Sequence, residues 1–164
     1  SPTNDTIDNY RVYQYEQIDK VYLRGMELNF HYHPHFMHNL HLEQSWSFVE
    51  AYDDKNKYLP LIPANKILSI VGYYFNNNFL GLDNISCKHK YFLQKDDVGI
   101  NESKSKSYQV IDIQSHFKFL KNLNIMFGIN NLLNKRYVPH LSRLKAYDIP
   151  DPGRSFNTSI TYEF

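Results

Sequence analysis

Histidine is the residue type with the clearest potential for chemistry here, because five of the eight histidines fall in one short segment. Imidazole is the commonest metal ligand in proteins, so a metal site is the first interpretation to weigh. Zinc prefers four convergent ligands, and no paired carboxylate or cysteine accompanies these histidines in the sequence. We therefore expect a polar turn around Pro34 at the rim of a sheet, without a metal and without a cofactor. The segment contains His31, His33, His35, His38 and His41.

Other catalytic chemistries find less support in the sequence. The single cysteine, Cys87, excludes an internal disulfide and a paired-cysteine zinc or redox site. Serine, histidine and aspartate are plentiful, but no serine lies in the Gly-x-Ser-x-Gly context of a hydrolase nucleophile. We expect no catalytic residue and no enzymatic activity.

Charge and composition narrow the class of protein further. The 164 residues include 18 Lys+Arg against 17 Asp+Glu, without the basic excess typical of a nucleic-acid-binding protein. The 14 Tyr and 11 Phe residues suit strands, and tyrosine also suits membrane interfaces. No apolar stretch approaches the roughly 18 residues of a transmembrane helix. The mean hydropathy of −0.55 is compatible with a membrane β-barrel, because the hydropathies of its lipid-facing and lumen-facing residues average out.

The elements that must position these residues are strands, because apolar and polar residues alternate with a period of two along most of the chain. No window shows convincing helical periodicity beyond two turns. Several predicted strands are longer than usual and suit a tilted strand of roughly 9–11 residues that crosses a membrane. The predicted strands are Tyr10–Tyr15, Ile18–His33, Asn39–Tyr52, Asn65–Asn77, Phe79–Leu93, Ser107–Leu120, Asn122–Asn130 and Arg154–Phe164.

The connections between these strands alternate in length. Short connections lie at 33–38, 76–78 and 121–122, and long ones lie at 53–63, 94–106 and 132–153. Outer-membrane barrels have short periplasmic turns and long extracellular loops, so the pattern predicts that the chain finishes on the periplasmic side. A soluble β-sandwich can also alternate its loop lengths, so this pattern alone does not decide between the two.

The faces of the strands are clearest near the C-terminus. Phe156, Thr158, Ile160, Tyr162 and Phe164 share one face, opposite serine, asparagine, threonine and glutamate. The wall of a membrane barrel and a strand of a soluble β-sandwich both show this alternation. In the barrel the apolar face points outward to lipid, whereas in the sandwich it points inward to the core. If the polar face lines a barrel lumen, we expect it to carry Glu27, Glu43, Asp112, His116 and Lys118.

Three C-terminal pieces resemble the end of TonB-dependent outer-membrane receptors. In that pattern a strand ends in Asn-Leu followed by Tyr, a long loop leads to Pro-x-x-Gly-Arg, and the last strand ends on Phe. The corresponding pieces are Gly128–Tyr137, Ile149–Arg154 and Thr161–Phe164, and Gly153, Arg154 and Phe164 are the signature of the barrel terminus.

Two upstream segments agree with this resemblance. Tyr15–Glu27 resembles the family's strand with Gly-x-Glu, and Tyr58–Lys66 resembles its Leu-Pro-x-Ile-Pro segment. Together with His33-Pro-His35, they resemble receptors of the Bacteroidetes type. The resemblance implies an all-β antiparallel barrel of 22 strands around an N-terminal plug. Residues 1–164 then represent the C-terminal third of the barrel, without the plug, and form an open curved sheet.

The resemblance also implies a function. The protein would be part of an active transporter in the outer membrane of a Gram-negative bacterium, taking up a scarce nutrient, most of all a ferric siderophore or another metal chelate. Its partners would be lipid, its own plug, the TonB complex reached through the missing N-terminal part, and a small-molecule substrate, with no nucleic acid. The candidate substrate contacts are Tyr137, His140, Arg143, Lys145 and Tyr147.

Two other classes remain open at this stage. The strands could close into a small structural or adhesive outer-membrane barrel, since eight strands suffice for a barrel filled by side chains. They could also form a soluble β-sandwich that acts as a binding module. A closed ring would contradict the transporter interpretation, whereas an open sheet with two free edges would support it.

Overall fold

The computed structural model describes residues 2–8, 10–13, 20–76, 79–119 and 122–163. As predicted, these residues form antiparallel strands, and helices are limited to the short 3-10 turns Phe79–Gly81 and Lys145–Tyr147. No helix in the described part is long and apolar enough to cross a membrane. The strands are β1 Pro2–Ile7, β2 Tyr10–Tyr13, β3 Val21–Tyr32, β4 Leu40–Asp53, β5 Lys66–Tyr74, β6 Leu82–Phe92, β7 Tyr108–Phe119, β8 Leu123–Asn130 and β9 Ser155–Tyr162.

Seven of these strands form one meandering sheet in the order β3-β4-β5-β6-β7-β8-β9, each antiparallel to the next. Within the described residues β3 and β9 are its free edges, so the sheet is open, as expected for part of a large barrel. The strands that the structure describes do not close into a small ring. Short connections follow β3, β5 and β7, whereas long ones follow β4, β6 and β8.

The N-terminal strands differ from the prediction. The strand expected at Tyr10–Tyr15 appears as β2, but it pairs with β1 in a separate two-stranded sheet. The sequence prediction missed β1 because its residues are mostly polar and lack alternation. The main sheet therefore has seven strands rather than eight. Residues 14–19 and the predicted strand ends Asn77, Leu120 and Phe164 lie outside the described residues.

The register places most of the large apolar side chains of the seven strands on one face. Leu42 lies opposite both Tyr32 and Val71, and Ile125 lies opposite both Phe117 and Ile160. These side chains are uncovered: Ile160 is 67% exposed. A β-sandwich would bury such a face under a second sheet, whereas a wall in lipid leaves it bare. The described residues contain no such second sheet.

The opposite face, called the polar face below, carries the five predicted lumen residues Glu27, Glu43, Asp112, His116 and Lys118 on β3, β4 and β7. Lys118 pairs there with Asp83 at 3.0 Å. β5 is an exception to the clean division, because Leu68 and Ile70 lie on the polar face beside Lys90 and Lys88 of β6. The sheet thus separates an apolar side from a largely polar side.

Candidate ligand-binding cleft

The loop after β8 begins at Asn131, which is 2% exposed and has φ of +51°. Asparagine tolerates this left-handed conformation better than most residues. Its side-chain amide donates to the carbonyl of Lys135 at 2.9 Å and accepts from the Lys135 N–H at 2.8 Å. Its backbone N–H donates to Asp112 Oδ1 at 2.9 Å. These bonds fix the direction in which the loop leaves the sheet.

The loop returns to the sheet beside its own beginning. Asn134 Oδ1 accepts a hydrogen bond from the backbone N–H of Arg154 at 2.9 Å. A Cβ atom at Gly153 would lie only 2.5 Å from the same oxygen, so a side chain there would displace the Asn134 amide from this hydrogen bond. The Asn-Leu-Leu-Asn and Gly-Arg pieces of the sequence therefore meet in space. The third piece of the terminal signature, Phe164, lies outside the described residues.

Three stacked aromatic rings connect the sheet to this loop. Phe92 stacks on Tyr108 with ring centroids 4.7 Å apart, and Tyr108 stacks on Tyr137 at 4.5 Å. Burial, and after it the nearby Asp151 carboxylate, raises the pKa of Tyr137. The phenol therefore stays neutral at physiological pH, and the stack forms a floor of aromatic rings beneath the loops.

His140 joins the loop after β8 to the loop after β6. Its ring is buried, with Nδ1 2.8 Å from Ser105 Oγ and 3.0 Å from Lys145 Nζ. Glu102 Oε1 lies 3.3 Å from Nε2 but outside hydrogen-bonding geometry. Burial and the Lys145 cation lower the pKa of His140, and Glu102 opposes them in part. Because an ammonium only donates, Lys145 faces an unprotonated Nδ1, as expected for a neutral ring.

A cleft of about 450 Å³ opens between these two loops, above Tyr108 and Tyr137. Lys106 and Lys135 have no carboxylate partner among the described residues, whereas Arg136 pairs with Asp148 at 3.3 Å. Such a concentration of cations attracts an anionic ligand. The charged residues that line the cleft are Lys104, Lys106, Lys135, Arg136, Lys145 and the carboxylate Asp148.

The predicted contact residues divide into three groups. Tyr137 and Lys145 line the cleft, and the buried His140 supports it from behind. Arg143 and Tyr147 are exposed and lie outside the lining. The sequence prediction missed the cations of the loop after β6, together with Lys135 and Arg136. The alternating serine and lysine residues at 103–107 were the available signal.

The histidine segment lies at the other end of the sheet, on the short-turn side. The expectation that no carboxylate accompanies it was wrong. Glu43 of β4 lies directly opposite His31 of β3, and Glu43 also contacts His41. The pairing of Glu43 with His31 escaped notice because antiparallel register, rather than sequence spacing, makes these two residues neighbours. The spacing of His41 and Glu43, two positions apart on one strand, was an available signal.

An open antiparallel wall with one bare apolar face, one polar face and a basic cleft among its long loops defines a segment of a membrane β-barrel. The chain belongs to the TonB dependent receptor-like, beta-barrel family, whose model matches residues 1–132. This confirms the family predicted from the sequence. Members of the family are transporters rather than enzymes. No curated protein matches the chain.

Solved structures of similar fold agree with this assignment. A copper transporter, OprC, superimposes with a TM-score of 0.77 at 18% identity, over 88% of this chain and 24% of its own. The FrpB iron transporter from Neisseria meningitidis (F3-3 variant) gives 0.70 at 23% identity, over 88% and 23%. At these identities the likeness concerns the fold. The chain spans about a quarter of the length of these proteins.

Proposed function

We propose that this chain is the C-terminal third of the barrel of an outer-membrane active transporter, which takes up an anionic metal chelate, most of all a ferric siderophore. The basic cleft between the loops after β6 and β8 is the observation that carries this proposal. Family membership supports the transport class. The basic side chains that line the cleft support a negatively charged substrate.

The two faces of the sheet suit this role. In the proposed orientation the apolar face contacts lipid, and the polar face with Glu27, Asp112 and His116 lines the lumen and contacts the plug domain. The long loops then lie at the cell surface and the short turns at the periplasm. Energy would come from the TonB complex through the N-terminal part of the whole protein. These partners follow from the family rather than from contacts within the chain.

The cleft has the features of a capture site for an anion. Lys106 and Lys135 are exposed and lack carboxylate partners within the described part, so their charge is available to a ligand. Cations from two loops converge on one cavity, and such focusing raises the local concentration of an oppositely charged ligand. The Tyr137 ring below them offers an apolar contact for the organic part of a chelate.

Metal-containing substrates are the first class to test, because two proteins of similar fold are named as a copper transporter and an iron transporter. Haem shares the relevant chemistry, since its two propionates are anionic. Neutral cobalamin is a suitable contrast. The positive charge of the cleft favours anionic metal chelates and haem over neutral cobalamin.

The test is growth of a strain that lacks the full-length gene, with a single added source of iron or cobalamin. We expect a defect on an anionic ferric chelate such as ferric citrate, restored by the wild-type gene. A receptor with Lys106→Gln and Lys135→Gln should restore growth only at higher chelate concentration, while a Lys55→Gln receptor should behave as wild type. A defect confined to cobalamin, or no defect on any source, would overturn the proposal.

A further inference from the structure

We propose that the short-turn end of the polar face contains a binding site for a divalent first-row transition metal, formed by His31, His41 and Glu43 and oriented by His33. The ligand atoms of the first three residues all lie within 4.8 Å of one another. The site is far along the strands from the basic cleft, and it does not depend on the proposed transport function.

The β3–β4 hairpin builds this cluster from two short sequence patterns. His31 and His33 are two positions apart, as are His41 and Glu43, so each pair projects to one side of its strand. The register places His31 opposite Glu43 and, one step beyond the pair Tyr32 and Leu42, His33 beside His41. Two pairs of potential ligands thus become a compact square on the polar face.

Within this square of His31, His33, His41 and Glu43, the potential ligand atoms are close enough to bind one ion after small movements. His31 Nδ1 lies 3.8 Å from Glu43 Oε1, and His41 Nε2 is in direct contact with the same carboxylate oxygen. Ligand atoms bonded at about 2.0–2.2 Å to a tetrahedral ion stand about 3.3–3.6 Å apart. A metal ion would take the place of this direct contact between His41 Nε2 and the Glu43 carboxylate.

His33 holds His41 in the orientation that such a site requires. The Nε2 atom of His33 lies 2.9 Å from Nδ1 of His41, and the two rings pack with centroids 4.4 Å apart. Metal-binding histidines almost always use their second nitrogen to hydrogen-bond another group, which fixes the tautomer and the ring. With His33 as acceptor, His41 carries its proton on Nδ1 and presents Nε2 to the ion.

The turn between the strands adds rigidity. Pro34 is fully buried, and its carbonyl accepts from the Met37 N–H at 3.0 Å, while Leu40 N–H donates to the Met37 carbonyl at 2.9 Å. The two sides of the square are therefore joined by a defined turn. Such preorganisation lowers the entropic cost of bringing the ligands together.

The donor set indicates the class of metal. Two imidazoles and one carboxylate suit zinc, copper and nickel, whereas calcium and magnesium require mostly oxygen ligands. Three protein ligands leave a fourth position open to water or to a ligand of the ion. His31 is 58% exposed at its side chain and Glu43 34%, so an ion can reach the site from the polar side.

The test uses the full-length receptor, purified in detergent and stripped with a chelator, and titrated with Zn²⁺ against a fluorescent competitor. We expect His41→Ala to bind one equivalent less than wild type, and Glu43→Gln to weaken that equivalent by about 10–100-fold. His33→Ala should retain the equivalent with affinity lowered by about 10–100-fold, the usual effect of losing an orienting partner. Exposed His38 provides the matched control, since within the described residues it makes no side-chain hydrogen bond, ion pair or ring contact, and His38→Ala should bind as wild type.

Co²⁺ absorption spectra of the same receptors distinguish a specific site from general binding. A tetrahedral imidazole–carboxylate site gives visible bands that should disappear in His41→Ala and shift in Glu43→Gln. Equal stoichiometry and equal affinity in wild type, His41→Ala and Glu43→Gln would overturn the inference. Heat-dependent mobility on gels verifies folding, and Glu43→Gln preserves shape if His41→Ala does not fold. Chelate uptake can fail in the growth experiment while zinc binding persists, so the two proposals are separable.

Discussion

The side-chain oxygen of Asn134 accepts a hydrogen bond from the backbone N–H of Arg154 at 2.9 Å, and so closes the base of a loop that spans 20 positions. The loop between them carries Tyr137, His140 and Lys145, which form the floor, the support and part of the wall of the cleft. This single hydrogen bond at the base of the loop thus helps to position the loop residues that are proposed to contact the substrate.

Substitution of Gly153 by alanine tests this closure. The added Cβ would stand 2.5 Å from Asn134 Oδ1 and would push it from the Arg154 N–H, at a cost of about 1 kcal/mol for the lost hydrogen bond. We expect faster hydrogen exchange in residues 131–154 of the full-length receptor. Gly25→Ala is the control, because its Cβ would meet only an ordinary contact at 3.5 Å.

A double-mutant cycle separates the specific clash from a general effect. In an Asn134→Ala background the oxygen is absent, so Gly153→Ala should have almost no further effect on exchange. Independent and additive effects of the two substitutions would contradict the proposed contact.

Asn131 should be among the most sensitive positions of the loop. Alanine would remove two hydrogen bonds to Lys135 and would sit unfavourably at φ of +51°, at a combined cost of about 2–3 kcal/mol. Glycine loses the bonds but tolerates the backbone, so Asn131→Gly should cost about 1 kcal/mol less. Urea unfolding in lipid vesicles measures the difference. Equal losses would mean that the backbone conformation contributes nothing.

The contact between the two long loops should weaken as pH falls. The pKa of His140 is lowered in the folded protein, so an opened loop binds a proton more readily than the closed one. The closed state therefore loses stability as pH falls below the ordinary histidine value of about 6.5, and it gains nothing further above that value. Protonation would also place a second cation beside Lys145.

Hydrogen exchange of residues 93–107 and 131–154, corrected for intrinsic rates, checks this expectation at pH 7.5 and 5.5. Exchange should be faster at pH 5.5 in the wild-type receptor. A His140→Gln receptor should show similar corrected rates at both values, because glutamine does not titrate. An unchanged wild-type rate, or a pH effect that persists in His140→Gln, would contradict the role given to His140.

Charge reversal in the cleft should weaken capture of an anionic chelate. Lys106→Glu and Lys135→Glu each remove one unpaired cation and add an anion, so we expect affinity to fall by about tenfold, as for ~1.4 kcal/mol. The wild-type affinity should also fall with added salt, because exposed charges are screened. Lys55→Glu, on the loop after β4, is the control. Equilibrium binding of a radiolabelled ferric chelate to the receptor provides the measurement.

The lipid face can be tested with one pair of neighbours on β8. Ile125 belongs to the apolar face and Asn124 to the polar face, at nearly the same depth. Arginine on a lipid face costs about 2–4 kcal/mol near the bilayer midplane, whereas a wet face tolerates it. Ile125→Arg should therefore reduce the amount of folded receptor in the outer membrane far more than Asn124→Arg. The reverse order would place lipid on the other face.

The sequence by itself determined the features that depend on local pattern. The sequence predicted the strands β2 to β9 within a few residues, and the lengths of the segments between them predicted which connections are short. Alternation also divided the faces of β7, β8 and β9, because a strand sends successive side chains to opposite sides. The terminal motif pieces pointed to the family that the match over residues 1–132 confirms.

Only the tertiary structure decided what depends on pairing across the chain. β1 was invisible because it lacks alternation and is specified by its partner β2. The apolar residues of β5 occupy both faces, so their assignment required the register with β4 and β6. The meeting of Glu43 with His31, and of Ser105 with His140, likewise arises from strand register and loop docking. These contacts join residues far apart in sequence, and no local spacing encodes them.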